Sequence, residues 1–379
     1  MALTEYLRGR ALSTGEIVVI ERVGVVGLGK VGELVATLLK DAGFTVTGYD
    51  HAERSDLAFP VERLDATSPE SLRTKLGAVD AVVSCLPFHL TAGVAEVAAE
   101  LGTHYFDLTE DVRTTERIQE LAAGSDGVVF APQCGLAPGL VGIIGASLMQ
   151  GLDTMRSVQL RVGALPKHPT GQLGYAFNWS GDGVVNEYLN DCEVLRDGSP
   201  RRVAALTEDE RVLIGGVELT ASLTSGGLGT MCDTYSGRIQ RLDYKTLRYP
   251  GHFEAIRFCF DELGLRQRRV LVSELLQDAK PPVTEDIVYL YASVEGQPSD
   301  SECPTTVRRE YVRAYEPLNI NGRVWRAISW TTAAAVAAVV ELVAQGDLID
   351  GGFLRQEAIS FDALLKTHNG ERFGMLGAV

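Results

Sequence analysis

Three carboxylates, Asp107, Glu110 and Asp111, fall within five residues, at and just beyond the end of a run that reads as a strand from His104 to Leu108. Such a cluster attracts a cationic substrate, and one of its members can take a proton from an ammonium group. Asp107 is the first choice of base, with Glu110 or Asp111 as electrostatic support. The ordinary alternatives are a cap on the next helix or a solvated side chain. A second group of polar residues lies further along. Arg248 suits bidentate capture of a carboxylate, and Asn178 and the loop Thr224 to Gly229 can hold the same group. Glu187 can meet an ammonium. His252 begins a helix after Pro250-Gly251, where a structural cap is the plainer reading. Cys134 has no histidine paired with it in the sequence, so packing is favoured over nucleophilic work.

These residues need elements to position them, and the clearest lies near the start. Val23, Val25 and Val26 form a short strand, followed by Gly27, Gly29 and Gly32 in the spacing G-x-G-x-x-G. Val31, Leu34, Val35, Leu38 and Leu39 make a helical stripe, ended by Gly43. The next strand, Thr45 to Tyr49, closes on Asp50, 18 residues after Gly32. This is the arrangement that binds a dinucleotide, with the pyrophosphate on the helix N-terminus. Asp50 can accept from the ribose hydroxyls and repels a 2′-phosphate, so NAD is expected. Arg54, four residues on, keeps an NADP reading open. Further cofactor contacts are expected from Lys30 and Val31 in the fingerprint turn, from Asp65, and from Cys85, Leu86 and Pro87.

Short strands and helices alternate as far as Pro132, which predicts a Rossmann-type doubly wound parallel sheet. Ligands bind beyond the carboxyl ends of such strands, here the loops at 85–89, 107–111 and 133–139. After Cys134 strand-like runs dominate, including alternation at Tyr175, Phe177 and Trp179, with turns at Asp197-Gly198 and Gly215-Gly216. The predicted fold is a Rossmann sheet interrupted by an α+β domain with a mixed or antiparallel sheet. The expected divisions are an extension at 1–21, a dinucleotide-binding domain at 22–135, a substrate-binding and dimerisation domain at 136–325, and returning helices at 326–379. Within the extension, Thr4 to Arg10 reads as a short helix and Glu16 to Ile20 as a strand end.

Composition narrows the partners. A net charge of −15 and a pI near 4.9 argue against nucleic acid and anionic membrane surfaces. Six cysteines (Cys85, Cys134, Cys192, Cys232, Cys259 and Cys303) are scattered without a C-x-x-C pair, so neither a metal site nor a disulfide framework is expected. The most apolar helix, Ala333 to Ala344, is 12 residues and holds Glu341, too short to span a bilayer, and the alanine- and valine-rich helical pattern from Ser329 to Gln345 must be buried. Residues 1–20 show no apolar signal-peptide core, and a cytoplasmic location is expected.

The chain resembles the saccharopine dehydrogenase family, and within it the NAD-dependent L-lysine 6-dehydrogenases. The resemblance is carried by GLGKVG at 27–32, LPFHLTAGVA at 86–95, GTHYFDLTED at 102–111, PQCGLAPGLVGIIG at 132–145 and RVGALPKHP at 161–169. It continues in YAFNWSGDGVVNEY at 175–188, TSGGLGTMC at 224–232 and YKTLRYPGH at 244–252, so it extends well beyond the fingerprint. The resemblance implies oxidation of L-lysine at the ε-carbon to allysine, which cyclises to the piperideine carboxylate. It implies NAD as cofactor and a homodimer or higher homo-oligomer joined through the α+β domain. In that setting Asp107 is the expected base, Arg248, Asn178 and the Thr224 loop the carboxylate holders, and Glu187 the partner of the α-ammonium. The saccharopine reductases and carboxynorspermidine-type imine reductases share this architecture. A saccharopine substrate needs further cations for its second dicarboxylate, for which Arg161, Lys167 and Arg248 are candidates. A protein that binds NADH as a sensor is the non-enzymatic alternative.

Overall fold

The computed structural model describes residues 19–125, 127–299, 305–349 and 351–375. The expected extension therefore lies mostly outside the described residues, as does Cys303. Seven strands form one parallel sheet: β1 (Arg22–Val26), β2 (Thr45–Asp50), β3 (Val61–Arg63), β4 (Ala81–Ser84), β5 (His104–Asp107), β6 (Val129–Ala131) and, from the far end of the chain, β17 (Gly352–Phe353). Their order is β17-β6-β5-β4-β1-β2-β3, every neighbouring pair parallel. Strands β1 and β4 are valine-rich and buried on both faces, as a strand covered by helices on both sides must be. The chain leaves β1 and β4 in opposite directions, so the loops after them meet at a switch point and form a crevice.

A second sheet of eight strands follows. Its main path runs β10 (Glu210–Ile214), β11 (Val217–Leu223), β12 (Ile239–Arg248), β7 (Leu152–Pro166), β13 (Asp286–Pro298) and β14 (Val307–Tyr315). A hairpin of β8 (Cys192–Arg196) and β9 (Ser199–Val203) joins it through β12, and β15 (Leu318–Ile320) pairs with β16 (Arg323–Trp325) apart from both sheets. Strands β12 and β7 run parallel and the remaining pairs antiparallel, so the sheet is mixed. The β8–β9 hairpin turns at Asp197-Gly198 and the β10–β11 hairpin at Gly215-Gly216, all four residues with positive φ.

Two expectations fail here. The alternating stretch at Tyr175, Phe177 and Trp179 is not a strand but an irregular segment. Tyr175, Ala176 and Phe177 are all buried, and the Phe177 N–H bonds the Lys280 carbonyl rather than a sheet neighbour. Alternation there reflects packing on two sides, not a pleat. The apolar helix runs over Ala327–Ala344, close to the span expected at 329–345, but at 18 residues it is long and apolar enough to cross a membrane by length and composition, where the sequence predicts too short a helix. It is 89% buried inside the protein. It packs between the helix Gly32–Asp41 and β13, stitching the two sheets together, and a helix apolar all round has to be covered in this way.

Candidate active site

At the switch point the backbone prepares a cradle. Gly27 has φ +91°, and a Cβ on Gly32 would fall 1.8 Å from the Gly27 carbonyl, so only glycine lets the helix Gly32–Asp41 lie this close. A Cβ on Gly29 would meet nothing within 4 Å, which leaves its backbone open to a ligand. No side chain caps that helix, so its first-turn N–H groups keep their positive end free. Asp50 sits at the end of β2 and accepts from the Leu28 N–H at 2.7 Å and the Ala52 N–H at 3.0 Å. Burial raises its pKa, but the Ala52 and Leu28 N–H groups outweigh that and hold the carboxyl below the usual range. An open cradle, an uncapped helix start and a charged acceptor at the ribose position together fit a dinucleotide.

Arg54, the residue that could welcome a 2′-phosphate, is occupied. Its Nε bonds Asp56 at 3.1 Å and its Nη2 bonds Glu33 at 3.2 Å. Asp65 is exposed and closes its own turn by accepting from the Thr67 N–H at 2.9 Å and the Thr67 hydroxyl at 2.6 Å.

Beside the cradle lies a cleft of about 400 Å³ between the two sheets. Lys30, Val31, Cys85, Leu86 and Pro87 line its nucleotide side, Glu110 and the turn Gly135–Pro138 its floor, and Trp179, Glu187, Thr246 and Arg248 its far wall. Lys30 closes one edge, its Nζ donating to the carbonyls of Phe177 at 3.2 Å and Trp179 at 3.1 Å. The Cys85 thiol is pushed up to about 12, chiefly by burial.

The charges on the far wall are unusual. Arg248, at the end of β12, is only 2% exposed. Its Nε donates to the Tyr188 hydroxyl at 2.8 Å, its Nη1 to the Leu247 carbonyl at 2.9 Å, and its plane lies 4.5 Å over the Tyr175 ring. Burial opposes its charge, but Tyr188, Tyr175 and Glu187 prevail and hold it ionised. Among the described residues no carboxylate comes within ion-pair distance of Arg248. A buried guanidinium with an unpaired edge on a cleft is a site for a carboxylate. Glu187 is 6% exposed and its side chain accepts no hydrogen bond from any described residue. Burial lifts its pKa to about 8, offset in part by Arg248. Glu110, half-buried, is lifted to about 7, first by desolvation and then by Asp111 and Asp107. Glu187, with no donor among the described residues, and Glu110, bonded only by its own backbone N–H, call for an ammonium.

The remaining sequence candidates stand behind this wall rather than on it. Asp107 is fully buried and saturated by the Tyr105 hydroxyl at 2.7 Å and the N–H groups of Thr109 and Gln133, each at 2.9 Å. Burial raises it to about 6 against those bonds. It ties β5 to the loop after β6, and so fixes the floor on which Glu110 stands. Asp111 caps the helix Val112–Ala122, accepting from the Thr114 N–H at 2.8 Å. Asn178 accepts from the Val283 N–H at 2.8 Å, and the Thr224 hydroxyl is 2.6 Å from that of Thr246. Cys134 is buried with its thiol donating to the Ala131 carbonyl at 3.0 Å.

His252 has an indirect place. Its Nδ1 lies 2.7 Å from the Leu173 carbonyl and its Nε2 2.9 Å from the Tyr188 hydroxyl. The carbonyl can only accept, so Nδ1 carries the proton and Nε2 must accept from Tyr188. Tyr188 is then free to accept from Arg248. Burial, aided by Arg248, pushes His252 down to about 3, which keeps the ring neutral and the chain of bonds intact. Sequence reasoning passed over Trp179, Thr246 and Gln277 on the cleft wall. Thr246 carried a signal, since Tyr244, Thr246 and Arg248 share one face of β12 at period two. Gln277, on the helix Arg269–Ala279, carried none.

Comparison with known proteins places the chain. Residues 23–129 match the family model described as saccharopine dehydrogenase NADP binding domain, and residues 135–370 the model described as saccharopine dehydrogenase C-terminal domain. A segment of 172 residues is 28% identical to alpha-aminoadipic semialdehyde synthase of Arabidopsis thaliana, covering 44% of this chain and 15% of that protein's length. Among solved structures, apo saccharopine dehydrogenase (L-Glu forming) from Saccharomyces cerevisiae is similar with a TM-score of 0.72 and 15% identity, over 93% of this chain and 98% of that one. At that identity the likeness speaks for the fold.

Proposed function

The chain belongs to the saccharopine dehydrogenase family, and from that premise and the charges of the cleft we propose that it is an NAD-dependent L-lysine 6-dehydrogenase. In this reading L-lysine, oxidised at the ε-carbon, reacts with NAD and water to give the aldehyde, NADH, ammonium and a proton. The observation that carries it is Arg248, buried and without an acidic partner among the described residues, on a cleft that also holds the carboxylates of Glu187 and Glu110.

Arg248 holds the α-carboxylate and Glu187 the α-ammonium. Glu110 takes the proton from the ε-ammonium, because an amine must be neutral before its carbon can lose a hydride. A pKa near 7 suits that base to neutral pH. The role falls to Glu110 rather than Asp107 because Glu110 lines the cleft and Asp107 is engaged with three donors behind it. Gly27, Gly29, Gly32 and Asp50 would hold the dinucleotide, with Lys30, Val31 and Cys85–Pro87 along its inner side. When bound, its nicotinamide supplies the hydride acceptor. The acid at Asp50 and the pairing of Arg54 with Asp56 and Glu33 favour NAD over its 2′-phosphate. Tyr188 and His252 are positioning residues that aim Arg248.

The test is reduced-cofactor absorbance with NAD or NADP against L-lysine, saccharopine and 1,5-diaminopentane. Lysine with NAD is expected to be the best pair. Faster turnover of saccharopine, or a clear preference for NADP, overturns the reading.

A further inference from the structure

Glu110 and Glu187 are shared walls. On their other side lies a second, polar cleft of about 540 Å³. Six carboxylates line it against two arginines, and one of those, Arg202, is paired with Glu193 at 3.5 Å. Glu116 and Asp191 stand exposed on its rim and have no ion-pair partner among the described residues. Acidic rims alone are commonplace. What distinguishes this one is Glu187: 6% exposed, without a hydrogen-bond donor among the described residues, and facing both clefts. A dinucleotide seated along Lys30, Val31 and Cys85–Pro87 occupies the opposite side of the first cleft. The acidic cleft reaches Glu110 and Glu187 from the side away from that dinucleotide.

We infer that the acidic cleft is the access route of the amine substrate, a vestibule in which Glu116 and Asp191 gather an ammonium-bearing chain and pass it between Glu110 and Glu187 into the site. The inference rests on the amine-oxidation reading above. Its physical basis is focusing: one sign of charge lining a concave wall raises the local concentration of the opposite ion and its association rate, and added salt removes the effect. It involves no chemical step, so the vestibule acts on capture and not on turnover.

The test uses the full chain with NADH bound and 1,5-diaminopentane as probe, its association followed by stopped-flow fluorescence of Trp179, which lines the first cleft. A Trp179→Phe control identifies the signal. Glu116→Gln combined with Asp191→Asn is expected to slow association about tenfold at low ionic strength, with the difference gone at high salt. Glu116→Lys with Asp191→Lys slows it further. For lysine oxidation kcat/KM falls in parallel while kcat, Tm and NAD affinity hold. Association at the wild-type rate in both double variants at low salt overturns the inference, and so does a wild-type protein that fails to capture the probe. If capture depends on the rim but lysine is not oxidised, the vestibule stands and the assigned reaction falls. If lysine is oxidised and capture ignores the rim, the reverse holds.

Discussion

Replacing Arg248 by methionine removes the charge and keeps most of the length of the side chain. In the lysine complex proposed here, the loss leaves the α-carboxylate buried against Tyr175, Tyr188 and Thr246 with no cation. Breaking one side of a buried, hydrogen-bonded pair costs about 3–5 kcal/mol. At about 1.4 kcal/mol per decade, kcat/KM for lysine should fall from about a hundredfold to a few thousandfold. The free enzyme behaves differently. There Arg248 pairs with no carboxylate among the described residues and loses only the Tyr188 and Leu247 bonds and the Tyr175 face 4.5 Å away. Removing a buried charge recovers its desolvation, which offsets those contacts. Tm is therefore expected to move by no more than a few degrees, and NAD affinity to stay at the wild-type level. 1,5-Diaminopentane has both amines and no carboxylate, so its kcat/KM should fall by less than tenfold or rise. The assay is reduced-cofactor absorbance with both substrates, and the quantity read is the ratio of their kcat/KM values. If the variant loses both substrates equally, or loses lysine by less than tenfold with Tm intact, Arg248 does not hold the carboxylate.

Glu110→Gln should lower kcat about 10²- to 10⁴-fold. In the wild type kcat/KM should rise with pH through about 7, because the carboxylate must be ionised to take a proton. That limb should vanish in the variant's residual activity, and activity within a few-fold of wild type would assign the base elsewhere. Asp50→Ser removes a charged acceptor and a repulsion, so the NAD-to-NADP ratio of kcat/KM should fall by about tenfold or more, and an unchanged ratio would detach Asp50 from the ribose. Glu187 and Glu110 have folded-state pKa values of about 8 and about 7, raised above the usual 4.5, so stability is fullest below the unfolded value and is lost as pH rises through 7 to 8. Tm of the ligand-free protein should accordingly decline between pH 5 and pH 9, and Glu187→Gln should flatten that decline, as read by scanning calorimetry.

How much of this the amino-acid order announces varies with the range of the interactions. The cradle is local: Gly27, Gly29 and Gly32 meet their constraints within one strand–turn–helix, and Asp50 lies one strand away. Spacing alone recovers them. The three carboxylates after β5 illustrate the limit. From sequence Asp107 takes precedence as base over Glu110, three residues further on from the strand end. The loop after β6 reverses that order, because the Gln133 N–H arrives from 26 residues away to claim Asp107. The same holds in the second domain. Asn178 looks like a ligand until Val283, 105 residues on, meets its carbonyl oxygen. The Tyr175–Trp179 alternation misleads for a related reason: burial on both sides writes the pattern of a pleat without any ladder.

The supply of cations in the cleft bears on which amine it takes. Saccharopine joins the lysine chain to a glutamate-derived dicarboxylate, so a site for it needs positive groups for two further carboxylates. Three candidates stand out in the sequence, and the fold uses two of them otherwise. Arg161 is buried in the second sheet, with Asp243 at 2.7 Å and Glu210 at 2.5 Å. Lys167 is at the surface with Glu316 at 2.9 Å. Arg248 alone of the three reaches the cleft. Lys30 also lines it, but its ammonium is held by two backbone carbonyls, and burial followed by Arg326 lowers its pKa. Against one guanidinium that has no acidic partner among the described residues the cleft sets Glu110 and Glu187, and the acidic wall beyond them repels a chain that carries more carboxylates. One cationic anchor and two anionic ones match a molecule with one carboxylate and two amines, which is the composition of lysine.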